Sequence, residues 1–468
     1  MRLTPPRLPT RSVAAGILAV LVFWAPLPFG SVRPEDRFLL QLWVMLALLT
    51  VALSPDTRTL RPLRWVLVPF AGWVAWAGLQ VVPLPASWLA ALSPSVAAAR
   101  RQAADLLGTE AGASPLSAAP GQTLESACWV ATLLACFVVA SLCGHRTRYR
   151  RLFAVALLAA ALFQVLYGAR RWGTAGSIIW GLTVAGGSNR LRGTYVNPDH
   201  LALLLELAIC GAGALLWWAL RVGRHDAGLE ARLVRITLPL LLWVALFAAL
   251  AFTGSRAGIL AVIVGTLAQG IVVGLRRRRA GLTLAALGLV TLGVTVVSWI
   301  GFEAGWGRWL STSRYELEAN VRHAANEATT ELWLQAPWTG VGLGAFRATF
   351  PSVQTANAPG RWRHAHNDWL EALATTGVVG VVLVLLALGA LGLHLHGVWR
   401  RALRSEGRAA ALAGLGAMVS VGVHEALDFG LTIPANALVL AVVLGAASGA
   451  RLRKAQRPAM DSPANAAA

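Results

Sequence analysis

Charge is scarce in this chain. Only 13% of its 468 residues are Asp, Glu, Lys or Arg, whereas a soluble domain usually carries about a quarter. Hydrophobic residues make up 56%, and the mean hydropathy is +0.61. A soluble protein of this length needs a charged surface, so the composition excludes one and indicates a chain built for lipid.

Paired cysteines, internal repeats and interdomain linkers are also missing. The four cysteines form no CxxC pair and fall inside or at the end of apolar stretches, so we interpret them as small buried hydrophobes rather than as disulfides or metal ligands. They are Cys128, Cys136, Cys143 and Cys210. With no repeat of about 20–50 residues and no linker between soluble segments, the chain is expected to form one membrane domain.

Apolar runs long enough to cross a bilayer recur along the whole sequence. A helix needs roughly 20 mostly apolar residues to span the hydrocarbon core. We place such runs near 13–29, 38–53, 65–82, 124–143, 152–169, 199–220, 236–252, 257–275, 281–300, 377–398, 409–427 and 433–450. The pattern predicts an all-α polytopic membrane protein with about twelve transmembrane helices.

The basic residues predict how these helices are oriented, because short loops rich in arginine stay on the cytoplasmic side. Of the 41 basic residues, 26 lie in the two tails and in alternate short loops. We therefore predict a bacterial inner-membrane protein with both termini in the cytoplasm. This orientation and contact with anionic headgroups account for most of the net charge of +20, so no nucleic-acid partner is expected. The other 15 basic residues lie in outward loops and need another explanation.

The predicted helices divide the chain into four parts. These are 1–150 with transmembrane helices 1–4, 151–300 with helices 5–9, 301–366 as a large periplasmic loop between helices 9 and 10, and 367–468 with helices 10–12. Within the large loop, Ser311 or Ser313 can cap a helix over roughly 314–335. The first long outward segment, 83–123, is expected to pack as a short helix or a loop.

A histidine stands where the large loop ends. Asp368 followed by Glu371 has the spacing of a helix start, which places His366 at the mouth of a helix that enters the membrane. With an ordinary pKa of about 6.5, a histidine there is suited to accept a proton from a hydroxyl. Two alternatives stay open: His364 and His366 are polar interface residues, or they chelate a metal together with Asp368. No further His or acidic cluster supplies the remaining ligands.

Outward arginines are candidates for binding phosphate, because a guanidinium binds phosphate oxygens bidentately and stays charged near lipid. Arg256 is the most specific, since a charge in so short a turn between apolar helices must lie at the bilayer surface. Snorkelling toward headgroups is its alternative explanation. Arg190 and Arg192 precede the sixth predicted helix, and Arg322 lies on the loop helix. The single lysine, Lys454, makes arginine enrichment alone weak evidence.

Acidic candidates are fewer. Glu35 and Asp36 occupy the first outward loop, where metal-dependent glycosyltransferases that use lipid-linked donors often carry an acidic pair, but the flanking Arg33 and Arg37 favour a salt-bridged turn. Glu206 lies inside a predicted span, where an ionisable residue is a functional candidate. A hydrogen-bonded packing role explains it equally well.

Four short motifs between about 190 and 380 resemble motifs of the O-antigen ligase and polymerase family. That family's patterns are Gly-x-Phe-x-Asn-Pro, Ser-Arg-x-Gly, Pro-x-x-Gly-Val-Gly-x-Gly-x-Phe and H[NSQ]-x9-G-x-x-G. The stretches here are Arg192-Gly193-Thr194-Tyr195-Val196-Asn197-Pro198, Thr253-Gly254-Ser255-Arg256-Ala257-Gly258, Pro337 to Phe346, and His366-Asn367 with Gly377 and Gly380. They stand in the family's order. His200, where Asn or another polar residue is expected, and Asn326, where an aromatic usually follows Arg322, depart from the pattern.

The resemblance implies a metal-independent, inverting glycosyltransferase that uses a glycan on undecaprenyl diphosphate at the periplasmic face. Its acceptor would be a glycan or lipid A core, and polysaccharide export machinery would supply further partners. It implies His366 as general base, with pyrophosphate bound by Arg256, Arg192, Arg322 and Arg190. Supporting roles are expected for His364, Asn367, Glu206 and Asn197, and neither cofactor nor metal is expected.

Two alternatives remain at this stage. A transporter or flippase of polysaccharide precursors would also have many helices, but such proteins place ionisable residues near the midplane and often consist of two repeated halves. Within the family, ligase, polymerase and protein-glycosylating members share the motifs. We favour a ligase or polymerase of surface polysaccharide or exopolysaccharide.

Overall fold

The computed structural model describes residues 10–450, apart from 55–59, 111, 172–177, 184–189, 223–227, 278–287, 289–292 and 294–311; for 276–277 and 312–319 it describes the backbone alone. The described chain is mostly helical, which confirms the all-α prediction. The predicted span 281–300 lies outside the described residues except for positions 288 and 293.

Fifteen α-helices have both ends within the described part of the chain. They are α1 Thr10–Trp24, α2 Pro34–Ala52, α3 Arg64–Leu79, α4 Ala86–Leu92, α5 Pro94–Leu107, α6 Pro120–Gly144, α7 Thr147–Arg171, α8 Pro198–Val222, α9 Leu229–Thr253, α10 Arg256–Arg277, α11 Thr312–Leu334, α12 Phe346–Thr349, α13 Asp368–Arg401, α14 Ser405–His424 and α15 Pro434–Ser448. Two short antiparallel pairs join β1 Pro83–Leu84 to β2 Ser114–Pro115, and β3 Ile178–Ile179 to β4 Leu182–Thr183. The 83–123 segment thus contains two short helices, α4 and α5.

Six of these helices are long and apolar enough to cross a membrane: α6, α7, α8, α9, α10 and α13. Two shorter apolar helices are α1 and α15. A helix lies at eleven of the twelve predicted positions. The chain is therefore a multi-pass membrane protein, while the count of twelve spans stays a prediction.

Helix α8 is the centre of the bundle. Every residue from Pro198 to Cys210 is buried, and the helix packs against α9, α10 and α14. A helix that is apolar on all sides must be surrounded by other helices or by lipid, and here it is surrounded by protein. The first turn of α8 is consequently held rigidly among the ends of its neighbours.

Helix α13 is broken near its start by Gly377, whose backbone has a φ of 65° and a ψ of −176°. The break frees carbonyls that the 337–346 segment then uses: Val341 N–H donates to Ala374 O at 3.0 Å and Gly342 N–H donates to Thr375 O at 2.9 Å. A Cβ on Gly377 would lie 2.2 Å from Trp338 O. Only glycine permits this approach. The Pro337–Phe346 motif therefore packs directly against the motif that contains Gly377.

The side chain of Gln80, at the end of α3, connects these two packed motifs to the N-terminal third of the chain. It is fully buried, and its Nε2 donates to Thr339 O at 2.7 Å and to Thr375 O at 3.0 Å. Its Oε1 accepts a hydrogen bond from Leu343 N–H at 3.0 Å. Residues that match no motif therefore help to position the loop that precedes His366.

The loop helix α11 begins at Thr312 and ends at Leu334, close to the predicted 314–335. Its buried residues form a small core with the 336–365 segment, which includes Phe346, Phe350 and Ala365. Since α11 also packs against α13, the large loop covers the end of the bundle at which α13 begins.

Candidate active site

Several helix ends meet near His366. Helix α13 begins and α14 ends there, and the starts of α8 and α15 are bonded to each other beside them. The junction is held by bonds between these ends: Asp368 N–H donates to Glu425 O at 2.8 Å, and Asn436 Nδ2 donates to His200 O at 2.9 Å. The structure thus gathers residues that lie far apart in the sequence.

His366 precedes α13 on a turn of unusual backbone geometry. Its φ is +55°, a region that residues other than glycine rarely adopt. The next residue, Asn367, caps α13, because its side-chain oxygen accepts a hydrogen bond from Leu370 N–H at 3.1 Å. The imidazole, 24% exposed, is therefore carried by a backbone that the helix start fixes.

Asp428 is the partner of His366. Its Oδ1 lies 3.1 Å from His366 Nδ1, and its side chain is 2% exposed. A carboxylate can only accept, so Nδ1 must donate and Nε2 is left as the basic nitrogen. Burial alone would raise the pKa of Asp428, but the hydrogen bond from His366 and the charge of Arg322 outweigh it and hold this pKa well below its ordinary value.

Arg322 lies close enough to the His366–Asp428 pair, here called the dyad, for its charge to act on Asp428. It lies half-buried on α11, so the loop helix supplies a positive charge to the site. Arg322, one of the four arginines predicted to bind pyrophosphate, therefore acts on the His366–Asp428 pair through its charge.

The ring of Phe429 contacts three histidines. Its ring stacks on His364 with the centroids 4.9 Å apart, and it meets His366 edge-on at 4.4 Å and His200 edge-on at 4.9 Å. Trp362 packs edge-on against the other side of His366 at 5.6 Å. The imidazole is thus confined between two aromatic rings, which fixes its orientation toward Asp428.

His364 has a carboxylate partner of its own. Its Nδ1 lies 3.1 Å from Glu371 Oε1, and Ala365 N–H donates to Glu371 Oε2 at 2.8 Å. Burial lowers the pKa of His364, but the hydrogen bond and charge of Glu371 raise it further, so the net shift is upward. The two histidines of the HxH motif therefore bind separate acids, and the described residues contain no group of three His, Cys, Asp or Glu side chains that could hold a metal ion.

Arg190 links the start of α8 to the end of α9. It forms a salt bridge with Asp199 in the first turn of α8, and its Nε donates to Thr253 O at 2.5 Å. Gly254 permits this contact, because a Cβ there would lie 3.2 Å from Arg190 Nε. Its guanidinium is thus engaged by protein groups at the turn that presents Arg256.

Arg192 and Arg256 lie beside this link. Arg192 is 3% exposed and donates to Val196 O at 3.2 Å; burial and the neighbouring Arg190 lower its pKa. Arg256 is half-buried in the first turn of α10, where Gly258 N–H donates to Ser255 Oγ at 3.2 Å. Arg190, Arg192 and Arg256 thus lie on neighbouring segments, and the planar donors of a guanidinium group suit phosphate oxygens.

Two other predicted residues serve the framework. Asn197 Oδ1 accepts from Asp199 N–H at 3.0 Å and so caps α8. Glu206, fully buried, accepts a hydrogen bond from Ser420 at 3.0 Å and pairs with His424 on α14. The contacts of Glu206 fasten α8 to α14. The acidic residues of the first outward loop lie in the first turn of α2, and the adjacent Arg37 pairs with Glu125 of α6.

Sequence reasoning missed Asp428, Phe429 and His424. They lie outside the four motifs, at and just after the end of α14. A signal was present, because His424, Glu425 and Asp428 are charged or titratable residues at the end of an apolar span, and such residues are costly near lipid unless they serve a purpose.

Comparison with known proteins finds a family similarity that covers part of this site. Residues 240–385 match the family model described as O-antigen ligase. The match runs from α9 into α13 and includes Arg256, Arg322 and His366. It does not reach Arg192 or Asp428. No curated protein matches the chain.

Proposed function

We propose that the chain is a membrane enzyme of the O-antigen ligase family and that it transfers or polymerises a glycan from undecaprenyl diphosphate onto an acceptor sugar hydroxyl at the periplasmic face. The observation that carries this proposal is the His366–Asp428 pair, on which the charge of Arg322 acts. Phe429 contacts both His366 and His200 in the first turn of α8, the helix whose Asp199 pairs with Arg190.

The reaction needs a base for the attacking hydroxyl. As the acceptor oxygen bonds to the anomeric carbon, its proton passes to His366 Nε2, and the negative charge of Asp428 stabilises the imidazolium that results. General base catalysis of this kind contributes about 10²- to 10⁴-fold in rate. The bond between the anomeric carbon and the phosphate oxygen breaks in the same step, so the anomeric configuration inverts.

The leaving group needs positive charge, because the electron pair of the broken bond stays on the lipid pyrophosphate. We assign this role to Arg256, Arg192 and Arg322, whose fixed guanidinium groups each contribute about 3 kcal/mol when well placed in a partly dry site. Arg190 acts through its bonds to Asp199 and Thr253 and orients the turn that carries Arg256. With arginines in this role, no metal step is required.

The test is transfer by purified protein in proteoliposomes supplied with a lipid-linked glycan and an acceptor. His366→Ala should insert and fold normally but lose transfer, while His396→Ala, an exposed histidine farther along α13, should remain active. Full activity of His366→Ala refutes the assignment. The glycan profile of a deletion strain then distinguishes the acceptors: loss of long chains alone indicates a polymerase, and loss of all decorated lipid A indicates a ligase.

A transporter or flippase is the alternative, and the buried Glu206–His424 pair is the observation in its favour. Transporters place such pairs within the bundle. The remaining titratable groups of the site lie at one end of the helices, which favours an enzyme. Glycan transfer without movement of the donor across the bilayer supports the enzyme, and movement without transfer supports the transporter.

A further inference from the structure

Asp368 and Glu425 lie beside the His366–Asp428 pair, on the same two segments. Asp368 follows His366 by two residues, and Glu425 precedes Asp428 by three. The backbone N–H of Asp368 donates to the Glu425 carbonyl at 2.8 Å. The start of α13 and the end of α14 therefore run alongside each other, and they are also joined by the His366–Asp428 pair and by the bond from Trp369 Nε1 to Gly422 O at 3.0 Å.

The two carboxyl groups of this neighbouring pair face each other within hydrogen-bonding reach. Glu425 is 2% exposed, and its Oε2 accepts from Leu431 N–H at 3.2 Å. Asp368 Oδ1 and Glu425 Oε1 are both buried, and within the described part of the chain no donor meets either of them. Two acceptors in contact, each without a donor, lack one proton between them.

The charges around this pair also favour the presence of a proton on one of the two carboxyl groups. Glu371 and His364 face Asp368, and Glu206 and Asp428 face Glu425. Three of these four neighbours are acidic, so ionising both carboxyl groups would concentrate negative charge in a buried place.

Glu425 lies in the connection between α14 and α15, outside the helices. Burial and its acidic neighbours raise the pKa of Glu425 to about 8. Because interacting carboxyl groups titrate as a unit, the pair holds its proton at neutral pH and loses it under alkaline conditions.

We propose that Asp368 and Glu425 share one proton and that this carboxyl pair positions His366 against Asp428; the positioning role rests on the proposed glycosyl transfer. The shared proton joins the start of α13 to the end of α14. Removing it leaves two adjacent carboxylates that repel each other, and the segments that carry His366 and Asp428 lose their register.

Infrared spectroscopy of the purified protein tests the shared proton without relying on activity. The difference spectrum between wild type and the Asp368→Asn, Glu425→Gln double variant should contain the C=O stretch of one protonated carboxyl, which shifts in D₂O and disappears at alkaline pH. Glu406→Gln, at the other end of α14, should leave this band in place. Carboxylate bands alone would overturn the proposal, whether the pair is bare or holds a cation.

Glycan transfer as a function of pH tests the positioning role. Wild type should lose turnover as the pH rises through about 8, whereas Asp368→Asn, which keeps a hydrogen-bond donor at every pH, should retain it to higher pH. Asp368→Ala should be impaired at all pH values. An unchanged alkaline limb in Asp368→Asn overturns the role, and Glu425→Gln provides the same comparison if that variant folds poorly.

The two possible failures are distinguishable. If wild type transfers no glycan in any assay, the proposed function fails while the infrared result still decides whether the proton is shared. If His366→Ala is inactive but both carboxyl variants lose turnover at the same alkaline pH as wild type, the proposed function stands and the positioning role is wrong.

Discussion

The two sides of the site differ in how their charges are satisfied. Around the start of α13, each histidine of the HxH motif has an acid: His366 has Asp428, and His364 has Glu371. Around the starts of α8 and α10 lie Arg190, Arg192 and Arg256, and Arg190 pairs with Asp199. The first arrangement holds a proton acceptor in one tautomer, whereas the second brings together guanidinium groups, whose planar donors suit phosphate oxygens.

Phe429 and His200 lie where these two sides meet. Phe429 contacts the histidines of the acid-rich side and also the edge of His200, which follows Asp199 in the first turn of α8. The two sides are thus linked through side chains that contact one another. The proposed glycosyl transfer would place the acceptor hydroxyl on the side of His366 and the lipid pyrophosphate on the side of the arginines.

On the side of the paired histidines, we expect the largest effect from Asp428→Asn, which removes the carboxylate that pairs with His366. An amide can donate to His366 Nδ1, so the imidazole would carry its proton on Nε2 and could not act as a base. We expect kcat to fall by about 10²- to 10⁴-fold with little change in KM for the donor, measured in proteoliposomes. Asp105→Asn, an exposed residue on α5, is the matched control. Normal turnover of Asp428→Asn would show that His366 acts without this carboxylate.

A smaller effect is expected from Arg256→Lys, on the cationic side. Lysine keeps the charge but not the planar pair of donors that binds phosphate oxygens. Loss of one well-placed donor to a developing negative charge reduces kcat/KM by about 10²- to 10³-fold. Arg347→Lys, an exposed arginine on α12, should behave as wild type. Equal activity of the two lysine variants would mean that Arg256 serves only as a point charge.

His364→Gln should be milder and should depend on pH. Because the folded-state pKa of His364 is raised, its bond with Glu371 stabilises the fold fully below the unfolded pKa of about 6.5 and less as pH rises through the folded value. The wild type should therefore melt above His364→Gln in mildly acidic detergent solution, and the gap should narrow as pH rises. With this side chain partly exposed, we expect a difference of a few degrees and a few-fold change in transfer. A gap that widens with pH would contradict the assigned direction.

The sequence predicted those parts of the structure that depend on local patterns. Apolar runs located the helices, the Asp368 and Glu371 spacing located the start of α13, and His366 followed from its place before that helix. Asp428 could not be predicted in the same way, because it lies 62 residues from His366 and no local pattern records such a pairing. Arg190 was predicted to bind pyrophosphate, but only the structure reveals that Asp199 and Thr253 already engage it.

The last prediction concerns metal, and the expected effect is no change. If arginines alone stabilise the leaving pyrophosphate, EDTA should leave glycan transfer by the purified protein unaltered, and added Mg²⁺ or Mn²⁺ should not increase it. Glu35→Gln with Asp36→Asn should likewise remain active, because those acids lie on α2 and outside the contacts that join the His366 and arginine sides. Strict dependence on a divalent cation would mean that a metal, rather than Arg256 and its neighbours, stabilises the leaving pyrophosphate. The role assigned to the arginine side of the site would then be wrong.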